Sequence, residues 1–178
     1  MKGLKTLVFI YNSFNDPLFQ NLVMTYIKTL SKSEGREFHV ITFEQDQYPI
    51  TEEAKEIIKA DLSKQNIYWY PLKFHTGKFL LFKKIFDLFQ AIFLVFKLRF
   101  TKNVKVIFAF ANIAASYSIL FSKLLRMKML IFSYEPHSEF LEELGLWSKS
   151  SVKFKVLNFL ENYAGLQADY VLTGTKYM

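Results

Sequence analysis

With 178 residues, 51% hydrophobic, and only 4 Pro and 6 Gly, the chain can build one good core and is no linker or disordered tail. It has no Cys, which excludes disulfides and thiolate metal sites and fits a reducing compartment such as the cytoplasm. A formal charge of +7 favours phosphate or anionic lipid as partners, and the lack of an Arg-rich stretch or nucleic-acid module argues against nucleic acid.

The opening MKGLKTLVFIYNSFND is basic and then apolar. Its apolar run is short and no small-residue cleavage site follows, so residues 4–11 read as a buried strand, not as a signal peptide. A polar loop, 12–16, leads to Pro17, which suits the first turn of a helix with Asp16 as its cap. Leu18, Leu22, Ile27 and Leu30 are its expected apolar face, and Gly35 marks the return. Residues 38–43 form a second strand. Thr51 opens a second helix, with Glu52 and Glu53 where the helix dipole favours negative charge. Residues 67–72 form an aromatic third strand.

A phenylalanine-rich helix occupies residues 78–101. Strand four follows at 104–110, and a helix of small residues at 112–125. Strand five is expected at 127–133, a long loop or short helix at 135–149, a helix at 152–166 and a last strand at 169–172. Strand and helix alternate throughout. That pattern describes a Rossmann-like α/β domain of three layers with a mostly parallel central sheet and a crevice beyond the strands' carboxyl ends.

The phenylalanine helix carries the most unusual signal. Phe79, Phe82, Phe86, Phe89, Phe93, Phe96 and Phe100 recur at alternating steps of three and four, and 16 of the 22 residues from Phe79 to Phe100 are apolar. The apolar sector is wider than the ~100° stripe a helix needs to lie on a sheet. The surplus meets a neighbouring helix, another protein or a bilayer interface. In the membrane reading Phe79, Phe82 and Phe86 enter an anionic membrane surface while Lys83, Lys84, Lys97 and Arg99 meet its headgroups. Asp87 and Gln90 interrupt the run, so it is not a membrane span.

The crevice reading selects the loops after the strands as carriers of chemistry. Asn12, Ser13 and Asn15, beside a helix start, have donors for an anion or a sugar. Asn112 follows strand four. SYEPHSEF follows strand five, where His137 can move a proton near neutral pH and Glu135 and Glu139 can orient it or pair with a hydroxyl. His75 reads as a surface residue and His39, inside strand two, as structural. No metal-ligand spacing, GxSxG elbow, GxGxxG fingerprint or Walker A pattern is present.

Four segments carry a family resemblance: LVFIYNSFNDPLFQNLVMTYIKTLSK with EFHVITF, VKVIFAFANIAASYSILFSKLL, MLIFSYEPHSEF, and FLENYAGLQADYVLTGT. Together they resemble the N-terminal, acceptor-side domain of a GT-B glycosyltransferase of the family-4-like group, over nearly all of the chain. The resemblance implies retaining transfer of a sugar from a nucleotide-sugar donor to a hydroxyl acceptor across a cleft between two lobes. It implies that residues 1–178 are a single domain, the first half of a GT-B fold, and that the C-terminal donor-binding domain is missing from this chain.

By the same resemblance His137 stands beside the transferred sugar, and Asn12, Ser13 and Asn15 approach the donor phosphates. Asn112, Glu135 and Glu139 line the acceptor side, while Glu161 and Asp169 are structural. This domain alone then binds no cofactor and no metal, and has little or no activity without its partner lobe. The acceptor is a cell-surface polysaccharide or a lipid-linked saccharide, which places the enzyme peripherally on the inner face of the cell membrane. The first loop lacks the family's frequent glycine pair, and Phe110, Ala111 and Asn112 stand where a histidine or glycine is common. The alternatives are a non-catalytic α/β binding or scaffold domain, and another small-molecule α/β enzyme such as a phosphate-ester hydrolase.

Overall fold

A computed structural model describes residues 4–133 and 136–173, with Leu80 and Leu81 described by backbone alone. Two compact units divide the chain, Met1–Val106 and Ile107–Met178. Both are α/β, as the alternation of strand and helix patterns leads one to expect.

In the first unit the elements are β1 (Lys5–Ile10), α1 (Thr25–Glu34), β2 (Glu37–Glu44), α2 (Glu52–Ser63), β3 (Ile67–Lys73) and α3 (Leu80–Thr101). The strands lie in the order β3-β2-β1. Both pairings are parallel, with Val8 opposite Val40 and Val40 opposite Trp69. Leu7, Val8, Phe9 and Ile10 are wholly buried, which explains why β1 reads as an unbroken apolar run and not as an alternation. Each such side chain contributes about 1.5–3 kcal/mol on burial. Thr51 caps α2 as expected, its Oγ1 accepting the Ala54 N–H at 3.2 Å.

The entry to α1 differs from the expected register. Asp16 does cap it, its Oδ1 accepting the Leu18 N–H at 2.8 Å with Pro17 in the first turn. But Phe19–Met24 is wound as a π-helix. Its wider i to i+5 turn brings Phe19 and Met24 to the same side. The buried set is therefore Phe19, Val23, Met24 and Ile27, while Leu18 is exposed and Leu22 and Leu30 are half-buried.

The phenylalanine helix turns its phenylalanine stripe outward. At 100° per residue, Asp87, Ala91, Val95 and Leu98 share one narrow face, and these are the buried side chains among the described ones of α3. Ala91 permits close approach, and Asp87 is satisfied by polar partners described below. Phe82, Phe89, Phe93 and Phe100, on the opposite side, are 63–74% exposed. No helix among the described residues is long and apolar enough to cross a membrane.

The second unit takes over within β4 (Val106–Phe110) and continues through α4 (Asn112–Leu125), β5 (Lys128–Ser133), α5 (His137–Glu143), α6 (Val152–Gln167) and β6 (Tyr170–Thr173). The strand order is β4-β5-β6, with β5 and β6 parallel and Leu130 opposite Tyr170. Ala114, Ala115 and Ser118 of α4 and Ala164 of α6 are buried. These small side chains let helix backbones come close, and α4 and α6 pack on each other. The last two strands are tied by Asp169, which accepts the Met129 N–H at 2.8 Å while its own N–H donates to the Met129 carbonyl at 2.9 Å.

Candidate functional site

In the first unit the loop after β1 is built against the end of β2. Asn12 donates from Nδ2 to Asp16 Oδ2 at 2.8 Å. Ser13 is wholly buried. Its hydroxyl accepts the Gln45 N–H at 2.7 Å and donates to the Phe43 carbonyl at 3.4 Å. The Phe14 N–H donates to the Glu44 carboxylate at 3.2 Å. Ser13 therefore acts from inside the loop, holding its shape, while Asn15 is exposed at its tip. Trp69 donates from Nε1 to Thr42 Oγ1 at 2.8 Å, and the Thr42 hydroxyl donates on to Glu44. Burial pushes the Glu44 carboxyl above its ordinary value, against the opposing pull of the Thr42 and Phe14 donors. Sequence reading missed this chain of donors, since Glu44 and Thr42 look like ordinary strand-end residues.

The loop after β3 carries a second cluster. Asp87, 1% exposed, accepts the His75 backbone N–H at 3.2 Å and the His75 imidazole Nδ1, and pairs with Lys84 Nζ at 3.4 Å. Lys84 Nζ also lies 3.1 Å from the centre of the Phe74 ring. Burial lowers the Lys84 pKa, although Asp87 opposes the shift. Two expectations change here. His75 is not a free surface residue but a clamp between β3 and α3. Lys84 does not stand with the outward phenylalanines, because its ammonium is drawn to Asp87 on the buried side. The available signal was Asp87 itself, the lone acid in an apolar and basic run.

His39, read as structural, is wholly buried. Its Nε2 is 2.8 Å from Glu37 and its Nδ1 3.1 Å from the Tyr70 hydroxyl.

In the second unit two helix starts follow adjacent strands. Ala111 sits between β4 and α4 at φ 69° and ψ 161°, a conformation proper to glycine. Its N–H donates to the Phe132 carbonyl at 2.9 Å, which sets this turn beside the end of β5. Asn112 opens α4, half-buried, and its carbonyl accepts the Ser116 hydroxyl at 2.9 Å. His137 opens α5 and is half-buried. Its backbone N–H donates to Glu161 Oε1 at 2.9 Å, and the Ser138 N–H donates to Glu161 Oε2 at 3.1 Å. The Ser138 hydroxyl bonds the same oxygen, and Asn158 Nδ2 donates to that hydroxyl at 3.2 Å. Glu161 thus serves as the cap that α5 lacks in its own sequence. Glu139 is exposed in the first turn of α5.

Glu135 lies outside the described residues, as do Gly174, Thr175 and Lys176 at the close. Among the described residues no three His, Asp or Glu side chains are grouped as metal ligands.

What these loops can do follows from their chemistry. In one unit Asn12 and Asn15 present amide groups beside a helix start. In the other a histidine at the start of α5 has its main chain held by a buried carboxylate.

Several solved structures share this architecture. The chain is similar to MurG of Acinetobacter baumannii (15% identity, TM-score 0.54), covering 97% of this chain and 42% of that one. It is similar to LpCGTa in complex with UDP (9% identity, TM-score 0.61), covering 98% and 47%. It is also similar to UGT89C1 of Arabidopsis thaliana complexed with UDP (14% identity, TM-score 0.55), covering 99% and 46%. At these identities the likeness establishes the fold, and the chain spans less than half the length of each of these structures. No family model matches the chain. No curated protein matches it.

Proposed function

We propose that the chain is the acceptor-side lobe of a retaining glycosyltransferase that moves a sugar from a nucleotide-sugar donor to a cell-surface glycan or lipid-linked acceptor. The observation that carries this reading is the setting of His137. The residue follows a parallel strand, opens a helix, and has its main chain gripped by buried Glu161. That arrangement fixes the main chain from which the imidazole projects, and the bond uses the backbone N–H rather than a ring nitrogen. The fold likeness, two of whose members are complexed with UDP, agrees with a nucleotide-sugar donor. In this reading Asn112 and Glu139 face the acceptor, Asn12 and Asn15 reach toward the donor phosphates, and Ser13 positions their loop. A second lobe holds most of the donor.

The test uses the enzyme with a donor lobe present. His137→Ala is expected to lower turnover of the nucleotide sugar by about 10²-fold or more, in keeping with loss of a positioned acid–base group. The fold, followed by circular dichroism, stays unchanged. Unaltered turnover would remove His137 from the site. The rival reading is a non-catalytic binding domain. That rival predicts no sugar transfer even with every lobe in place.

A further inference from the structure

The outward face of α3 is made of the wrong residues for water. At 100° per residue, Phe82, Phe86, Phe89, Phe93, Phe96 and Phe100 fall within about 80° of one another. That stripe is centred about 180° from the buried face of Asp87, Ala91, Val95 and Leu98. From Phe82 to Phe100 it runs about 27 Å. Phe93 is 74% exposed and Phe86 55%. Phe89, Ile92, Phe93, Phe96, Lys97 and Phe100 line a shallow open trough along it. An apolar patch of this length marks a surface that meets something.

The charges around the stripe say what it meets. From Leu62 to Val106 the chain has nine Lys and Arg and one acid, Asp87. That acid is buried and committed to His75 and Lys84. Lys83 and Lys97 stand on one shoulder of the stripe and Arg99 on the other. The Lys83 ammonium is anchored at 2.6 Å on the Thr76 carbonyl, beside the start of the helix. A face that is aromatic at its centre and only basic at its rim has the form of a helix lying in a bilayer interface. A second copy of the same face would bring two basic rims together, and no acid on the outward side of α3 could answer them.

The geometry points to α3 as a docking surface for an anionic phospholipid bilayer. The phenylalanines enter the boundary between headgroups and acyl chains, while Lys83, Lys97 and Arg99 engage phosphate. This inference stands apart from the glycosyl-transfer reading, and either can fail alone.

The test is sedimentation of the full chain with vesicles of phosphatidylcholine mixed with phosphatidylglycerol, against vesicles of phosphatidylcholine alone. Binding to the mixed vesicles is expected to be about tenfold tighter or more, and to weaken with salt. The double variant Phe89→Ser, Phe93→Ser removes two exposed rings and is expected to lose at least about tenfold in binding, with an unchanged circular dichroism spectrum. The pair Lys83→Glu, Lys97→Glu is expected to abolish the preference for the anionic lipid. Three results would overturn the inference. One is no binding to either vesicle. Another is binding indifferent to the Phe89 and Phe93 substitutions. The third is a concentration-dependent dimer that those substitutions disperse while vesicles stay unbound.

Discussion

Glu161 on α6 and Ser138 on α5 are joined through one carboxylate oxygen, which takes both the backbone N–H and the hydroxyl of Ser138. The other oxygen takes the His137 N–H. A helix start leaves its first N–H groups without intrahelical partners, and Pro136, at the cap position, has no side-chain acceptor. The cap is therefore supplied from more than 20 residues away, and one side chain both closes α5 and sets the main chain of His137.

Glu161→Ala removes the acceptor for two backbone donors and a buried hydroxyl. Each unpaired buried group costs about 1–3 kcal/mol, and partial fraying of α5 returns some of that. The expected net loss is about 2–3 kcal/mol in urea unfolding followed by circular dichroism. A loss below about 0.5 kcal/mol, the size of an ordinary surface substitution, would show that the cap is dispensable.

Asp87→Ala tests the clamp between β3 and α3. It strips the partner from the His75 imidazole, the His75 N–H and the Lys84 ammonium at once. Removing one member of a buried pair costs about 3–5 kcal/mol, and the part-exposed Lys84 and His75 side chains recover some solvation, so about 2–4 kcal/mol is expected. Asp87→Asn keeps one acceptor and should lose less. Thermal melting of the two variants gives the comparison, and equal melting of both with the wild type would refute the clamp.

Much of the fold was legible because its signals are local and periodic. The unbroken apolar run of Leu7, Val8, Phe9 and Ile10 marks a strand buried on both faces. Thr51 before Glu52 and Glu53 marks a helix start, and the small-residue helix expected at 112–125 is found at Asn112–Leu125. What stayed hidden depends on pairing across distance. The π winding at Phe19–Met24 shifts a buried face by one position with no residue to announce it. His75 and Asp87 are 12 residues apart and meet only once β3 has been laid beside α3. The direction of the phenylalanine stripe was left open for another reason. Hydrophobic periodicity finds a face but does not say what that face meets, and here the core takes Ala91 and Asp87.

Ala111→Gly tests the turn between β4 and α4. At φ 69° and ψ 161° an alanine bears about 1–3 kcal/mol of strain, which glycine escapes. Glycine in turn loses about 0.5–1 kcal/mol more chain entropy on folding. The substitution is expected to stabilise the chain by about 1 kcal/mol, read as a higher urea midpoint. A lower midpoint would place Ala111 in an ordinary backbone conformation.

His39 supplies a pH dependence of known sign. Burial, outweighing the opposing pull of Glu37, lowers its pKa below the ordinary 6.5. The unfolded chain therefore takes up a proton near pH 6.5 that the folded chain still refuses. Stability contributed by neutral His39 is present above pH 6.5 and is lost as pH falls toward the lower folded value. Glu44 acts in the opposite sense. Its raised pKa means that the folded chain binds a proton more readily than the unfolded one, so it weakens the fold as pH rises past its ordinary 4.5. The two are separated by His39→Gln, measured by urea unfolding at a series of pH values between neutrality and mild acid. The wild type is expected to lose more stability than the variant on going below pH 6.5. Parallel profiles for the two proteins would mean that His39 is protonated equally well inside and outside the fold.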